Sequence, residues 1–287
     1  MGKALFLYNT RAGRGTVARN IDAIREVFSS KYDLVVEDID LKKNPFDVHP
    51  DFRLVVVAGG DGTVNYVVNR MKERNLDILI GVIPVGTAND FAGALGMDRD
   101  PVKAAQQIVD GVEHRVDCGR VNGLHFVNVF SFGLFTTTSQ RTPDERKHKF
   151  GKLAYLIEGI KELRTMHAVS LKIVADGEKF DFNALMVLVF NGETAGSFHL
   201  ARRACIKDGL LDCLLLRHRN ILFSCWAMIR YLLGGSPRSI CQLRARHIEI
   251  TSTIDEPTDV DGQEGAHFPL TVDCLSGALR VLCPANK

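Results

Sequence analysis

Leu54-Val55-Val56-Val57-Ala58-Gly59-Gly60-Asp61-Gly62-Thr63-Val64-Asn65 is the stretch from which the rest of the chain can be read. Leu54 to Val57 is an apolar, largely β-branched run of the kind found in a parallel strand buried on both faces. It stops at a turn made almost wholly of glycine, after which Val64, Val67, Val68 and Met71 recur at helical spacing. Strand, glycine turn and helix together aim backbone N–H groups at an anion, with the helix dipole behind them. Glycine is needed there because a side chain would hold a phosphate away from the amides. Asp61 is the odd member, since a carboxylate beside a polyanion is repulsive unless it holds a metal ion or receives a proton. The stretch is neither a P-loop ending in Gly-Lys-Ser/Thr nor a Gly-x-Gly-x-x-Gly dinucleotide turn. Alone, it reads equally well as a plain tight turn.

The same alternation extends to both sides. Upstream, Ala4 to Tyr8 is a strand that leads into Asn9-Thr10-Arg11-Ala12-Gly13-Arg14-Gly15, then an amphipathic helix marked by Val17, Ile21, Ile24 and Val27. That Gly- and Arg-containing loop either holds phosphate or simply starts the helix. Leu34 to Ile39 is a second strand, and Lys42 to Asp51 a polar connection. Downstream, Ile78 to Ile83 is a buried strand ending in Pro84-Val85-Gly86-Thr87-Ala88-Asn89-Asp90-Phe91. Asn89 or Asp90 is expected to cap the short helix that follows. Pro101 suits the first position of another helix, through Val109. The pattern predicts a three-layer α/β domain with a parallel sheet. Its loops at Asn9, Gly59 and Gly86 then line one crevice, the usual ligand site of such sheets.

Near Asp117 the texture changes. Arg115 to Val121 and His125 to Phe130 read as a hairpin turning at Asn122-Gly123. A basic stretch, Arg141 to Lys152, precedes a helix over Leu153 to Leu163. Strands then dominate: Ser170 to Ala175, Asp181 to Phe190, Leu211 to Leu216, His247 to Thr253, Leu270 to Cys274 and Leu279 to Leu282. The division is a nucleotide-binding α/β domain over 1–121 and a β-sandwich-like domain over 122–287, whose C-terminal segment can return to the first. One helix, Asn220 to Leu233, interrupts the strands.

Bulk properties exclude several classes. At 287 residues, 46% hydrophobic and 24% charged, the chain has the composition of a globular protein of two domains or one large one. A net charge of +2 argues against a nucleic-acid binder. The seven cysteines form no C-x-x-C pair and read as reduced, mostly buried thiols of a cytoplasmic protein. The first residues lack the apolar length of a signal peptide. No apolar run reaches the eighteen or so residues of a membrane span. The nine histidines show no metal-binding spacing.

Taken in order, these motifs resemble those of the diacylglycerol kinase and sphingosine kinase catalytic-domain family, and most closely its bacterial members. The resemblance runs from Leu5 to Pro284 through Asn9-x-x-Ala12-Gly13-x-Gly15, Gly59-Gly60-Asp61-Gly62-Thr63, Pro84-x-Gly86-Thr87-x-Asn89-Asp90-Phe91-Ala92 and Val116-Asp117-x-Gly119. Gly151-x-x-Ala154-Tyr155, Lys207-Asp208-Gly209-Leu210-Leu211-Asp212 and Asp261-Gly262-Gln263 continue it. It implies a kinase that uses ATP and Mg²⁺ to phosphorylate a lipid hydroxyl, with diacylglycerol the expected acceptor and phosphatidylglycerol or a sphingoid base as alternatives. Asn9, Gly13, Gly59 through Tyr66 (Gly60, Asp61, Gly62, Thr63, Val64 and Asn65 between them), Gly86 and Thr87 are the implied nucleotide contacts. Asp61, Asp90 and Asp117 match carboxylates around a catalytic Mg²⁺. The Asp208 side chain and the carbonyls of Cys205 and Leu210 match a structural metal loop, and such oxygen ligation suits Mg²⁺ or Ca²⁺.

Three positions depart from the family's pattern. Tyr66 stands where a Glu is usual, and the connection after the second strand lacks a Thr placed near the adenosine. Gln263 replaces the Glu commonly assigned as proton acceptor. Glutamine cannot take a proton at neutral pH, so either Glu264 or Asp61 does that work, or turnover is poor. A degenerate family member that binds nucleotide or lipid without turnover is the alternative, as is a kinase of a soluble acceptor such as NAD. A lipid kinase is expected to be cytoplasmic and peripheral to the membrane. Ile221, Leu222, Phe223, Trp226, Met228, Ile229, Leu232 and Leu233, flanked by Arg217, Arg219, Arg230 and Arg238, form a candidate docking helix. Its apolar residues surround much of the helix, which favours packing on the sandwich with a solvated basic rim. A homodimer is left open.

Overall fold

A computed structural model describes residues 2–9, 15–48, 52–133, 168–218 and 220–285. In chain order the first elements are β1 (Gly2–Tyr8), α1 (Thr16–Ser29), β2 (Tyr32–Asp38), β3 (Leu54–Gly59), α2 (Asp61–Glu73), β4 (Leu79–Pro84), α3 (Asp90–Leu95), α4 (Pro101–Val109) and β5 (Val112–Val121). There follow β6 (Leu124–Phe126), β7 (Val129–Gly133), β8 (Val169–Ala175), β9 (Glu178–Phe190), β10 (Thr194–Ala195), β11 (Phe198–His199) and β12 (Leu211–Arg217). The last are α5 (Ile221–Leu232), β13 (Ile240–Ala245), β14 (His247–Ser252), β15 (Thr258–Val260), β16 (Gln263–Glu264) and β17 (Leu270–Cys283). The chain divides into two compact units, one of 1–118 with 276–287 and one of 119–275.

In the first unit β2, β1, β3 and β4 lie parallel in that order, and the end of β17 joins alongside β4 with Arg280 opposite Leu79. All six residues of β3 are buried, as a strand covered on both faces requires. α1 packs against α4 on one face while α2 packs against β3 and α3. α4 starts where Pro101 sets it, with the Asp100 side chain accepting from Val102 and Lys103 N–H at 2.9 and 3.0 Å.

The second unit is antiparallel and sandwich-like. Residues Asn122-Gly123, Asp176-Gly177 and Asp261-Gly262 all have positive φ, the backbone of tight two-residue hairpin turns. β9 is its long strand. Its first half pairs with β8 and its second with β7 and β12. Because side chains alternate, Val187 and Val189 enter one apolar core with Leu211, Cys213 and Leu215, while Met186, Leu188 and Phe190 enter another with Leu214, Leu216 and Met228 and Tyr231 of α5.

Several details depart from the sequence expectation. Leu270 to Cys274 and Leu279 to Leu282 are one strand, β17, which passes through Gly277 at φ 58. β10, β11, β13, β15 and β16 are additional. Of the cysteines only Cys118, Cys213 and Cys283 are buried, and Cys205 and Cys241 are exposed. Burial pushes the Cys213 thiol far above its ordinary value. The expected basic stretch at 141–152 and helix at 153–163 lie outside the described residues.

Candidate active site

β1, β3 and β4 end side by side, with Tyr8 opposite Ala58 and Gly59 opposite Pro84. Asn9, the Gly59-Gly60 turn and the Gly86 loop therefore leave the sheet along one edge. Asn9 N–H donates to Ala58 O at 3.4 Å, and Val85 N–H to Gly59 O at 3.1 Å. The two glycine loops touch backbone to backbone: a Cβ on Gly86 would stand 2.5 Å from Gly60 Cα and 2.8 Å from Asn89 Oδ1. Asn89, at φ 56, clasps this loop. Its Oδ1 accepts from Gly86 N–H and its Nδ2 donates to Gly86 O, both at 2.8 Å. It therefore does not cap α3 with its side chain, as the sequence suggested.

α2 starts directly from the glycine turn. Its N-cap, Gly60, has no side chain, so the positive end of a 13-residue helix is presented at the edge. Thr63 and Val64 N–H fold back on Gly60 O at 2.9 and 3.1 Å. Gly60, Asp61, Gly62, Thr63 and Gly86 are half-buried and Thr87 is exposed. Val64, Asn65 and Tyr66 lie beneath them, buried. The Tyr66 hydroxyl donates to the carbonyls of Lys43 and Asp40, and Arg70 lies 5.0 Å over its ring. Burial raises the Tyr66 pKa against the opposing pull of Arg70, so it stays a neutral donor that ties down the connection after β2. Gly13 lies outside the described residues.

The three carboxylates part company. Asp61 opens α2, and its Oδ1 accepts the Phe91 N–H at 3.0 Å, which places it beside Asp90, the buried first residue of α3. Asp117 is at the other end of the sheet. It is 1% exposed on β5, and its Oδ1 accepts the Gly277 N–H at 2.8 Å. Gly277 precedes Arg280, which pairs with Leu79 at the start of β4, whereas Gly86 lies past the end of that strand. At about 3.3 Å per residue that is a separation on the order of 20 Å. The C-terminal half of α2 agrees, since Lys72 Nζ donates to Ala278 O at 2.6 Å. The expected grouping of Asp117 with Asp61 and Asp90 is therefore corrected: its carboxylate satisfies a buried backbone amide of β17.

In the second unit Asp261 turns the β15–β16 hairpin, with Val260 opposite Gln263. Its carboxylate accepts three backbone N–H groups, from Val127 at 2.6 Å, Asn128 at 3.0 Å and Val129 at 2.8 Å. Gln263 and Glu264 are exposed at the tip. As successive strand residues they point to opposite faces.

Residues 3–121 match the family model described as the diacylglycerol kinase catalytic domain, and residues 128–283 match the YegS C-terminal NAD kinase beta sandwich-like domain. The chain belongs to the diacylglycerol kinase catalytic-domain family. It is 32% identical over 241 residues to a Bacillus subtilis diacylglycerol kinase, covering 83% of this chain and 80% of that one. To a Staphylococcus aureus diacylglycerol kinase it is 30% identical over 292 residues, 98% of this chain and 92% of the relative. A solved Bacillus anthracis diacylglycerol kinase superposes with a TM-score of 0.83 at 26% identity, over 99% of this chain and 98% of that one. The protein is a lipid kinase. Among the described residues, no helix is long and apolar enough to cross a membrane.

The kinase's expected metal loop, Cys205 to Leu210, is a tight turn. Asp208 N–H donates to Cys205 O at 3.4 Å, and Leu210 N–H to Asp208 Oδ1 at 3.0 Å. Asp208 Oδ2 accepts from Arg244, whose Nε also reaches Asp212 Oδ2 at 3.1 Å. Arg244 stands directly opposite Asp212 in the β12–β13 register. Burial pushes the Asp212 carboxyl up while Arg244 opposes the shift. The positive charge a cation would bring to Asp208 is thus supplied by a guanidinium, and the loop fits a bound metal poorly. Sequence reading missed Arg244, the clasp of Asn89 on Gly86 and the threefold role of Asp261. A lone arginine or asparagine carries no spacing signal, although the positive φ of Asn89 is one that asparagine tolerates.

Proposed function

We propose that this kinase transfers the γ-phosphate of ATP to the free hydroxyl of diacylglycerol, giving phosphatidic acid, and that Mg²⁺ assists. The observation that carries the reading is the edge where the Gly60 and Gly86 backbones touch and α2 begins with no side chain at its cap. Such an edge lets amides approach phosphate oxygens closely, with a helix dipole behind them. The names of the relatives support diacylglycerol as the acceptor. By the same family analogy, the first unit handles the nucleotide and the second the lipid.

Asp61 and Asp90 offer hard carboxylate oxygens at that edge, a donor type that suits Mg²⁺. Asp61 is already oriented by the Phe91 N–H, so these two are the residues that would hold the ion. When bound, Mg²⁺ neutralises charge on the β- and γ-phosphates. The lipid oxygen then forms its bond to the γ-phosphorus as the bridge to the β-phosphate breaks and ADP leaves. In a loose transition state the hydroxyl proton departs late and can pass to solvent water or to a transferred phosphate oxygen, so an enzyme with Gln263 in place of a carboxylate still turns over. General-base help is typically worth about 10²–10⁴-fold. The kinase is therefore slow rather than inert.

The test is transfer of labelled γ-phosphate by the native protein, with Mg²⁺, to diacylglycerol, phosphatidylglycerol, sphingosine and NAD in parallel. Labelled phosphatidic acid as the main product supports the proposal. Label in another acceptor reassigns the substrate. Tight ATP binding with no labelled product favours the non-catalytic binder, for which Gln263 is the supporting observation.

A further inference from the structure

We propose that the outward face of α5 is the surface by which this kinase docks on an anionic lipid bilayer; the inference rests on its being a lipid kinase. Leu222, Trp226, Ile229 and Leu233 are 80%, 48%, 41% and 83% exposed. Their spacing puts them on one stripe, within an arc of about 60° at 3.6 residues per turn. The diametrically opposite residues Ser224, Ala227, Met228 and Tyr231 are buried. The helix therefore has two apolar faces. One closes the core beneath β9 and β12, and the other meets solvent. Nine large apolar side chains are exposed among the described residues, and four of them form this stripe while the rest are scattered. Contiguous exposure of that kind marks an interaction surface.

Charge identifies the partner. From Cys213 to Ile248 the sequence holds no Asp or Glu but has Arg217, Arg219, Arg230, Arg238, Arg244 and Arg246. Arg230 and Arg238 are exposed, and the Arg230 guanidinium borders the stripe, 5.3 Å over the Trp226 ring. An apolar face bordered by arginine, with a tryptophan at its margin, matches the boundary between acyl chains and anionic headgroups. A second copy of the chain fits less well, because a twofold contact would set these arginines against their own counterparts. Four side chains are also far short of the roughly 800 Å² per partner of a stable interface.

The helix is fixed where docking needs it. Asn220 Oδ1 caps it through the Phe223 N–H at 2.9 Å. Arg202 donates to Tyr231 O at the other end, and the Tyr231 hydroxyl donates to Leu200 O at 2.5 Å. A rigid platform some 18 Å long lies flat in an interface without refolding.

Trp226 is the only tryptophan of the chain, so its emission reports this face alone. The experiment adds vesicles of equimolar phosphatidylglycerol and phosphatidylcholine to the full chain, with brominated acyl chains as quenchers. The expected result is a blue shift, quenching by the brominated lipid, and weakening with salt. Leu222→Ser with Leu233→Ser should lower vesicle partitioning on the order of a hundredfold, the loss expected when two leucines leave an apolar phase. That double variant should keep the native thermal midpoint and phosphorylate a short-chain, water-soluble diacylglycerol at the native rate. Vesicle binding with unchanged Trp226 emission would overturn the proposal, as would native-like binding by the double variant. A blue shift that needs no lipid and follows a doubling of mass would assign the face to a second copy instead. The kinase reading fails separately, on absent phosphorylation of the soluble lipid by the native protein.

Discussion

Gly86→Ala is the substitution that most directly stresses the contact between the two glycine loops. A methyl at this position stands 2.5 Å from Gly60 Cα and 2.8 Å from Asn89 Oδ1. Carbon atoms rest at about 3.5–4.0 Å, so the loops must separate by roughly 1 Å. Both sides are constrained, one by backbone and the other by the Asn89 side chain with its two hydrogen bonds to Gly86. The overpacking costs about 1–3 kcal/mol of stability. The displaced groups include the turn amides that would face phosphate, so ATP affinity should fall roughly tenfold to a hundredfold. Gly93→Ala is the matched control. It lies a few residues on, inside α3, and a Cβ there meets nothing within 4 Å. It should leave ATP affinity unchanged and raise the thermal midpoint slightly, since alanine is the better helix former. Calorimetric ATP titration and thermal melts of both variants decide the matter. A Gly86→Ala protein with native ATP affinity and native midpoint would refute the account of this edge.

Three further outcomes follow from the same geometry. Asp117→Ala removes the acceptor of the Gly277 amide and should lower the thermal midpoint while leaving the Mg²⁺ concentration for half-maximal activity unchanged; a raised Mg²⁺ requirement at native stability would return Asp117 to the metal site. Arg244→Met leaves Asp208 and Asp212 without their shared cation and should cost about 1 kcal/mol, discounted for the partial exposure of the group. Millimolar Ca²⁺ should then restore the variant's melting temperature without raising that of the native protein, and chelation should leave the native melt unchanged. Gln263→Glu should raise kcat, by up to about a hundredfold if general-base help is what the native chain lacks; unchanged kcat in a folded variant would show that position 263 takes no part in proton transfer.

The strand, turn and helix over 54–73 were legible because six successive buried residues and a glycine-only turn leave few alternatives. Pro101 and Asn122-Gly123 marked their elements for equally local reasons, a fixed φ and a two-residue turn. The family's motif order pointed correctly to a lipid kinase. Motif order does not give strand register, and Asp117 shows the consequence. Its placement depends on β17 being one 14-residue strand that enters the parallel sheet opposite Leu79. Arg244 meets Asp208 from 36 residues away through the β12–β13 pairing, and nothing local announces it. In α5 the hydropathy pattern is apolar nearly all round, which favoured packing on the sandwich. The structure shows that packing for one face only. Periodicity finds apolar faces but cannot say which of them the fold covers.

The central claim is that the carboxylate at the glycine edge drives phosphoryl transfer to a lipid. The most direct measurement compares native and Asp61→Asn proteins for labelled γ-phosphate transfer from ATP to diacylglycerol, with Mg²⁺. Asparagine keeps the oxygen that accepts the Phe91 N–H, so the fold and Mg²⁺-free ATP binding should persist. Labelled phosphatidic acid from the native protein, with transfer reduced by roughly a thousandfold or more in the variant, is the predicted result. Equal transfer by the two proteins would contradict it.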